Sequence, residues 1–448
     1  NNPVSISASL GVQHVFAKNY TVEVRYLYTH GYHLPTQIQV NKTPAATAAA
    51  FLPTYLTTPT AAQLAALTTT RFSLTSQNTP AGFHLQEYVP AYVSGCVGSP
   101  TASATTDGLL ADGITPAPCF LSNITTFDQN GNSVYHGASV QLTRRFEHGL
   151  QLNAAYTYSH AIDDSTPALF STVITPRRAQ DGLNINNDRS NSALDHRHRF
   201  TLVAYYDLPY FKTGSWFRRN VLGNWFAAPV YTYQSGEWAD VHPISDLNLN
   251  GDSAGDRVLL NPAGIRSTGS GTTATCLAPG NVVVVGSTTV GTVGYSCSAA
   301  VAVVTPRPLA SCTAGQTACN SVPTVAYTAA VATAKYIVPG AGGLVANNGL
   351  FVAGRNTLLM RPINNIDFTL GKKFNITERL RLEFQAQFLN FFNHPQYIAG
   401  SINQVNAIGY TGSAAGNYLN PTNGVFNQPD QVFSSNPRNI QLAAKIVW

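Results

Sequence analysis

The stretch from Gly149 to Ser159 reads GLQLNAAYTYS. Leu150, Leu152, Ala154, Tyr156 and Tyr158 share one parity, and Gln151, Asn153, Ala155, Thr157 and Ser159 share the other. Successive side chains of an extended chain point to opposite faces, so this is a strand with one greasy side and one hydrophilic side. The split recurs with Ile6, Ala8, Leu10 and Val12 against Ser5, Ser7, Ser9 and Gln13, then with Val22, Val24, Tyr26 and Tyr28 against Thr21, Glu23 and Arg25. It returns with Ala138, Val140 and Leu142 against Ser139, Gln141 and Thr143, and with Phe200, Leu202, Ala204 and Tyr206 against Thr201 and Asp207. Further strands are predicted near 224–236, 363–374, 379–392 and 438–448; in the third, Leu380, Leu382, Phe384, Ala386 and Phe388 oppose Arg381, Glu383, Gln385 and Gln387. The total is about nine segments of about ten residues, the length of a transmembrane strand.

Bulk composition asks for such strands. Apolar residues are 44% of the 448 and charged residues only 10%, where a soluble domain carries about a quarter charged. No uninterrupted apolar run reaches the roughly 18 residues that a membrane helix needs. A membrane β-barrel reconciles the two facts, because lipid-facing and interior-facing residues alternate and leave mean hydropathy near zero; here it is -0.03. The fold class is therefore all-β, a transmembrane antiparallel β-barrel. A net charge of +5 is spread along the chain without a basic block, so no nucleic-acid partner is expected. The sequence begins Asn1, Asn2, Pro3, with neither an initiator Met nor a secretory pattern, and reads as a piece of something longer without a plug domain.

The connections set the orientation. Those near 15–19, 146–149 and 375–378 are short and that at 209–222 moderate, whereas 31–133, 163–193, 239–360 and 394–437 are long and rich in Thr, Ala, Gly, Ser, Asn and Pro. Outer-membrane barrels keep short turns in the periplasm and long loops outside. Tyr26 with Tyr28, Tyr156 with Tyr158 and Tyr231 with Tyr233 then fall toward the outer interface, where aromatic girdles sit. An odd number of strands cannot close in an all-antiparallel way, so strands upstream are expected. The rival architecture, a soluble sandwich, needs a second sheet over the Leu and Tyr faces and has no reason for one-sided loops.

The last strand carries Ile440, Leu442, Ala444, Ile446 and Trp448 on one face and stops there. It resembles the carboxy-terminal assembly signal of outer-membrane proteins, read by the barrel-assembly machinery, with Trp in place of the commoner Phe. Other segments resemble the carboxy-terminal half of Oar-like TonB-dependent receptors: Leu194 to Phe200 (LDHRHRF) with Tyr206 to Pro209 (YDLP), Tyr233 to Gly236 (YQSG), Arg381 to Phe384 (RLEF) through Asn390 to Pro395 (NFFNHP), and Asn436 to Gln441 (NPRNIQ). The resemblance implies a barrel of about 22 strands with a plugged lumen, of which these would be the last nine. It also implies import of a scarce small nutrient, coupling to TonB through a missing amino-terminal region, and contacts with outer-membrane lipid. The other function compatible with this barrel is a surface adhesin or assembly contact made by the long loops.

Lumen-facing candidates are Glu23, Arg25, Gln141, Asn153, Arg381, Glu383 and Gln385. Cys96, Cys119, Cys276, Cys297, Cys312 and Cys319 all fall in the two longest loops, where an oxidising exterior favours disulfides. The connectivity stays open, with sequence neighbours joining Cys96 to Cys119, Cys276 to Cys297 and Cys312 to Cys319 as one pairing. Metal binding is the rival reading, which no C-x-x-C pair or Cys/His cluster supports. Asp246, Asn248, Asn250 and Asp252 place oxygens at alternate positions as a calcium loop does, but the loop 246–257 ends on Arg257 where a bidentate Glu is needed; the alternative is a loop of Asx turns. His160, Asp163 and Asp164 sit at the outer rim, where an Asp/His pair could activate water; polar residues at a strand-to-loop junction are the ordinary explanation, and no enzyme activity is expected. His196 and His198, two apart on one strand, are expected to share a face, where they could bind metal but are read as lining the lumen.

Overall fold

The computed structural model describes residues 2–39, 125–165, 178–182, 184–241, 255–264, 334–340, 342–377, 380–397, 418–421, 423–432 and 435–448, with short runs between 46 and 56 and between 243 and 250, and the backbone of short strands between 273 and 328. Its principal sheet follows chain order and is antiparallel throughout: β1 (Val4–Phe16), β2 (Tyr20–Gln39), β3 (Thr125–Glu147), β4 (Leu150–Asp163), β5 (His198–Asp207), β6 (Trp225–Gln234), β7 (Ile363–Asn375), β8 (Arg381–Leu389) and β9 (Asn439–Val447). The two-residue strand Ser190–Asn191 adds to the end of β4. β1 and β9 are the two edges and do not pair with each other. Among the described residues no helix is long and apolar enough to cross a membrane.

Antiparallel neighbours in sequence put every short connection, 17–19, 148–149, 208–224 and 376–380, at one end of the sheet and every long one at the other. At the tightest turn His148 and Gly149 take φ of 50° and 80°, the left-handed pair whose twist suits a two-residue hairpin. Asp207 O stands 2.9 Å from where a Cβ on Gly149 would lie, so the turn admits no side chain there.

Register builds two faces. Val12, Val24, Val140, Tyr156, Phe200 and Tyr233 stand opposite one another across six strands. Further along, Phe368, Phe388 and Ile440 form one row and Leu370, Ala386 and Leu442 the next. This apolar face is uncovered: Leu10 is 71% exposed and Leu442 81%. Among the described residues no second sheet lies over them, which argues against the sandwich alternative. On the opposite face Phe226 lies across Gly371, where a Cβ would meet the ring at 2.0 Å.

The expected loop 31–133 starts later and ends earlier than the alternation suggests. β2 and β3 stay paired as far as Gln39 with Thr125, through register shifts at Gly31/Leu34 and Leu34/Thr36. Bulges shift the parity, and beyond the aromatic band neither face meets hydrocarbon, so the period-two signal fades while the ladder continues.

The loops build a core of their own. Short ladders join Trp238–Ala239 to Leu358–Leu359, and Leu259–Leu260 to Tyr336–Ile337 and Phe351–Val352. Around them Ala239, Leu247, Val258, Leu259, Tyr336, Ile337 and Leu358 are all at most 2% exposed. Leu419 and Phe426 from the last loop join this cluster, with the Phe426 ring 5.9 Å from that of Tyr336. The first loop is tied in as well: Thr54 N donates to Asn347 Oδ1 at 3.0 Å and Asn348 Nδ2 donates to Thr54 O at 2.6 Å.

Candidate functional site

The sheet register places all seven lumen candidates on the face opposite the apolar one. Glu23 stands across from Gln141 in a row that continues through Ala155, Thr201, Thr232 and Asn365. Arg25 heads the next row with Ser139, Thr157, Arg199 and Gln234. At the other side of the sheet Lys373, Glu383 and Lys445 align, as do Gly371 with Gln385 and Asn375 with Arg381. The polar groups bond to one another: Arg25 to Glu23, Gln141 Nε2 to Asn153 Oδ1 at 3.2 Å, Gln385 Nε2 to Glu383 Oε1 at 2.6 Å, and Lys373 Nζ to Asp207 Oδ1 at 2.8 Å. Charges and amides arranged in this way can offer directional contacts to a polar ligand.

At the outer end of this wall the loop core is fastened to the strands by buried charge. Arg355, 1% exposed, donates from Nε to Asp188 O at 3.0 Å and from Nη2 to Asp163 O at 2.7 Å, and pairs with the Asp163 carboxylate at the tip of β4. Arg257 lies 2.6 Å from Asp188 Oδ2 with both side chains buried; the contact is an ion pair not aligned as a hydrogen bond. Asp195 accepts from Ala161 N at 2.8 Å, from Trp238 Nε1 at 3.1 Å and from Arg197. Burial pushes the Asp188 carboxyl up against the pull of Arg257, and pushes Asp240 up to about 7 despite Arg257 and the Asn356 N–H. The Arg355 guanidinium is lowered to about 10 by burial. A buried pair of this kind is costly to break because one partner is left charged and dry.

Beside this junction His196, Gln234, Glu237, Arg361 and Tyr397 line a small pocket, in which burial raises Glu237 and the nearby His196 opposes that rise.

The remaining sequence-level candidates are dispersed. His160 Nε2 meets Asn191 Oδ1 at 2.9 Å, while Asp163 goes to Arg355 and Ser192 and Asp164 accepts from Asn132 N, so His160 and the two carboxylates have different partners. His196 contacts Gln234 and Ser235 O, but His198 bonds Tyr156 OH at 2.9 Å on the aromatic side. The expectation that they share a face is corrected: His196 precedes β5, outside its alternation. Asn248 Oδ1 accepts from Asn250 N at 2.9 Å, an Asx turn, and Arg257 is held by Asp188. Asp246 and Asp252 lie outside the described residues. Among the described residues no three His, Cys, Asp or Glu groups converge as metal ligands. All six cysteine side chains also lie outside the described residues. Ile440, Leu442, Ala444 and Ile446 face the same way as their β8 partners Phe388, Ala386, Phe384 and Leu382, and Trp448 is 90% exposed.

Sequence reasoning missed Asp188, Asp240 and Arg355 and the buried pairings of Asp195 and Arg257. Apart from the Asp195–Arg197 pair, two residues apart, their partners are far away in the chain, 192 residues for Arg355 and Asp163, and no local pattern marks them.

Sequential amphipathic strands, an uncovered apolar face and loops gathered at one end are together the wall of a membrane-spanning β-barrel. The chain belongs to the outer membrane beta barrel domain family, whose model matches residues 1–441, and its place is the bacterial outer membrane, in contact with lipid. Among solved structures it is similar to the outer membrane transporter YddB from Escherichia coli, with TM-score 0.33 and 7% identity over 99% of this chain and 32% of that one. It is also similar to the toluene transporter TodX of Pseudomonas putida, with TM-score 0.18 and 10% identity over 86% of this chain and 55% of that one. No curated protein matches.

Proposed function

We propose that this chain is the carboxy-terminal wall of an Oar-like TonB-dependent importer that brings a scarce nutrient across the outer membrane. The observation that carries the reading is the internally bonded polar face, running from Glu23 and Gln141 to Lys373 and Glu383, beneath a folded cap of loops. Polar rows offer successive exchangeable contacts to a hydrated solute, and a packed cap selects what reaches them. In this reading the barrel has about 22 strands, upstream strands pair with the free edges of β1 and β9, and an upstream plug with a TonB box couples the pore to inner-membrane energy. The face ending at Trp448 is read by the barrel-assembly machinery. The loop cysteines form the three neighbour disulfides, calcium is the one ion that loop 246–257 would take, and the chain carries out no catalysis.

The packed loop core favours a second reading, in which the cap is a surface adhesin or assembly contact on the same barrel. The two separate in cells. A strain lacking the gene is expected to lose uptake of one radiolabelled class among iron chelates, saccharides and peptides, and a protonophore should abolish that uptake in the parent strain. Uptake of all three unchanged by the deletion, with loss of cell-to-cell or surface attachment, would establish the adhesin instead.

A further inference from the structure

The moderate connection between β5 and β6 has its polarity inside out. Residues 208–223 read LPYFKTGSWFRRNVLG, with three cations and no acid. Tyr210, Trp216 and Phe217 are 59–66% exposed, with Phe211, Val221 and Leu222 exposed as well, while the buried side chain is Asn220.

This is a built turn. Asn220 Oδ1 accepts from Asn375 N at 3.1 Å at the end of β7, and its Nδ2 donates to Trp216 O at 3.3 Å. The Arg218 guanidinium stands 5.4 Å from the Phe211 ring. Lys372 belongs to the apolar face, opposite Trp225 and Phe384. Its Nζ reaches 3.0 Å from Val221 O, also donates to Gly223 O, and sits 4.8 Å from the Trp225 ring. The segment is thereby fastened to the lipid-facing side of the sheet, at the end that carries the short connections.

We propose that Tyr210–Leu222 is an interfacial anchor that sets its aromatic side chains into the phospholipid leaflet facing the periplasm and takes anionic phospholipid phosphates on Lys212, Arg218 and Arg219. Two observations select this occupant. The segment is continuous with a surface that already meets lipid, through Lys372 and Trp225, and its charge is all positive among aromatics, the composition that holds amphipathic segments at an anionic interface. Tyr and Trp favour that depth because one part of the ring system is apolar and another polar. The proposal rests on the outer-membrane location and strand orientation, and is independent of what the barrel transports.

The test uses the full chain in vesicles of phosphatidylcholine, alone or with about a third phosphatidylglycerol. The part of the tryptophan emission that Trp216→Phe removes should be quenched by lipids brominated high on the acyl chains and spared by aqueous iodide. Lys212→Gln, Arg218→Gln and Arg219→Gln should each lower the retention of phosphatidylglycerol over phosphatidylcholine roughly fivefold at low salt, while Arg219→Lys keeps it. Unboiled gel mobility identifies the folded fraction, and if one variant fails to insert the other two carry the same measurement. Iodide quenching of Trp216 without bromolipid quenching would overturn the proposal, as would unchanged lipid retention. Full competition by millimolar inorganic phosphate would also overturn it, by making the site a free-anion site.

Discussion

The strands and the loops of this protein solve opposite solvent problems with the same residue types. On the sheet Leu442, Leu10 and Val12 are 67–81% exposed, whereas in the loop core Leu247, Leu259 and Tyr336 are at most 1% exposed. For a water-soluble chain the first set would be an aggregation hazard. In hydrocarbon it is the contact surface, removed from water by lipid, whereas the second set is removed from water by the protein itself, at roughly 1.5–3 kcal/mol for each fully buried large side chain. Burial measured against the chain alone therefore identifies the core of the cap and misses what holds the wall in place.

This contrast can be broken most strongly at the junction. Arg355→Ala leaves the Asp163 carboxylate without its buried cation and the Asp188 carbonyl without its donor, and the cap should lose about 4 kcal/mol; external protease on intact cells should then cut within 239–360 while unboiled gel mobility of the barrel stays native. Next comes the cap interior, where Leu259→Ala opens a cavity worth about 3 kcal/mol and should again speed loop cleavage without altering barrel mobility. Third is a pair of neighbours that separates the two faces of the wall. Val140→Arg puts a cation into lipid and should reduce folding stability in bilayers by about 2 kcal/mol, whereas Gln141→Arg, one residue on, should change it little; equal effects on urea unfolding would contradict the assignment of faces.

The smallest effect is pH-dependent. Asp240 is an acid whose folded value, about 7, lies above its ordinary value of 3.8, so the fold favours its neutral form. Its contribution is complete below about pH 4 and is lost as pH climbs through about 7. Between about pH 6 and about pH 8 the cap should weaken by about 1 kcal/mol. Asp240→Asn should flatten the pH dependence of loop cleavage, and an unchanged slope would remove Asp240 as its source.

How far the sequence carried this picture depended on what enforces each part. The strands were legible because lipid and interior impose a strict period of two on Leu150 to Tyr158 or Leu382 to Phe388, and the polar wall followed from the same parity. The cap left no such signature. Leu259, Tyr336 and Ile337 sit in two- and three-residue ladders among Thr, Ala and Gly, too short for any periodicity. The charges that fasten it meet across long stretches of chain, so their pairing exists only in three dimensions. His196 and His198 show the converse error: spacing alone assigned them one face, but the strand had not begun at His196.

Because Thr54, Asn347 and Asn348 bond across 293 and 294 residues, and Phe426 packs edge-on against Tyr336 from yet another loop, the outer surface is a mosaic of distant chain segments. An antibody raised against living cells would recognise that mosaic, and a linear peptide copied from one loop would make a poor immunogen against it.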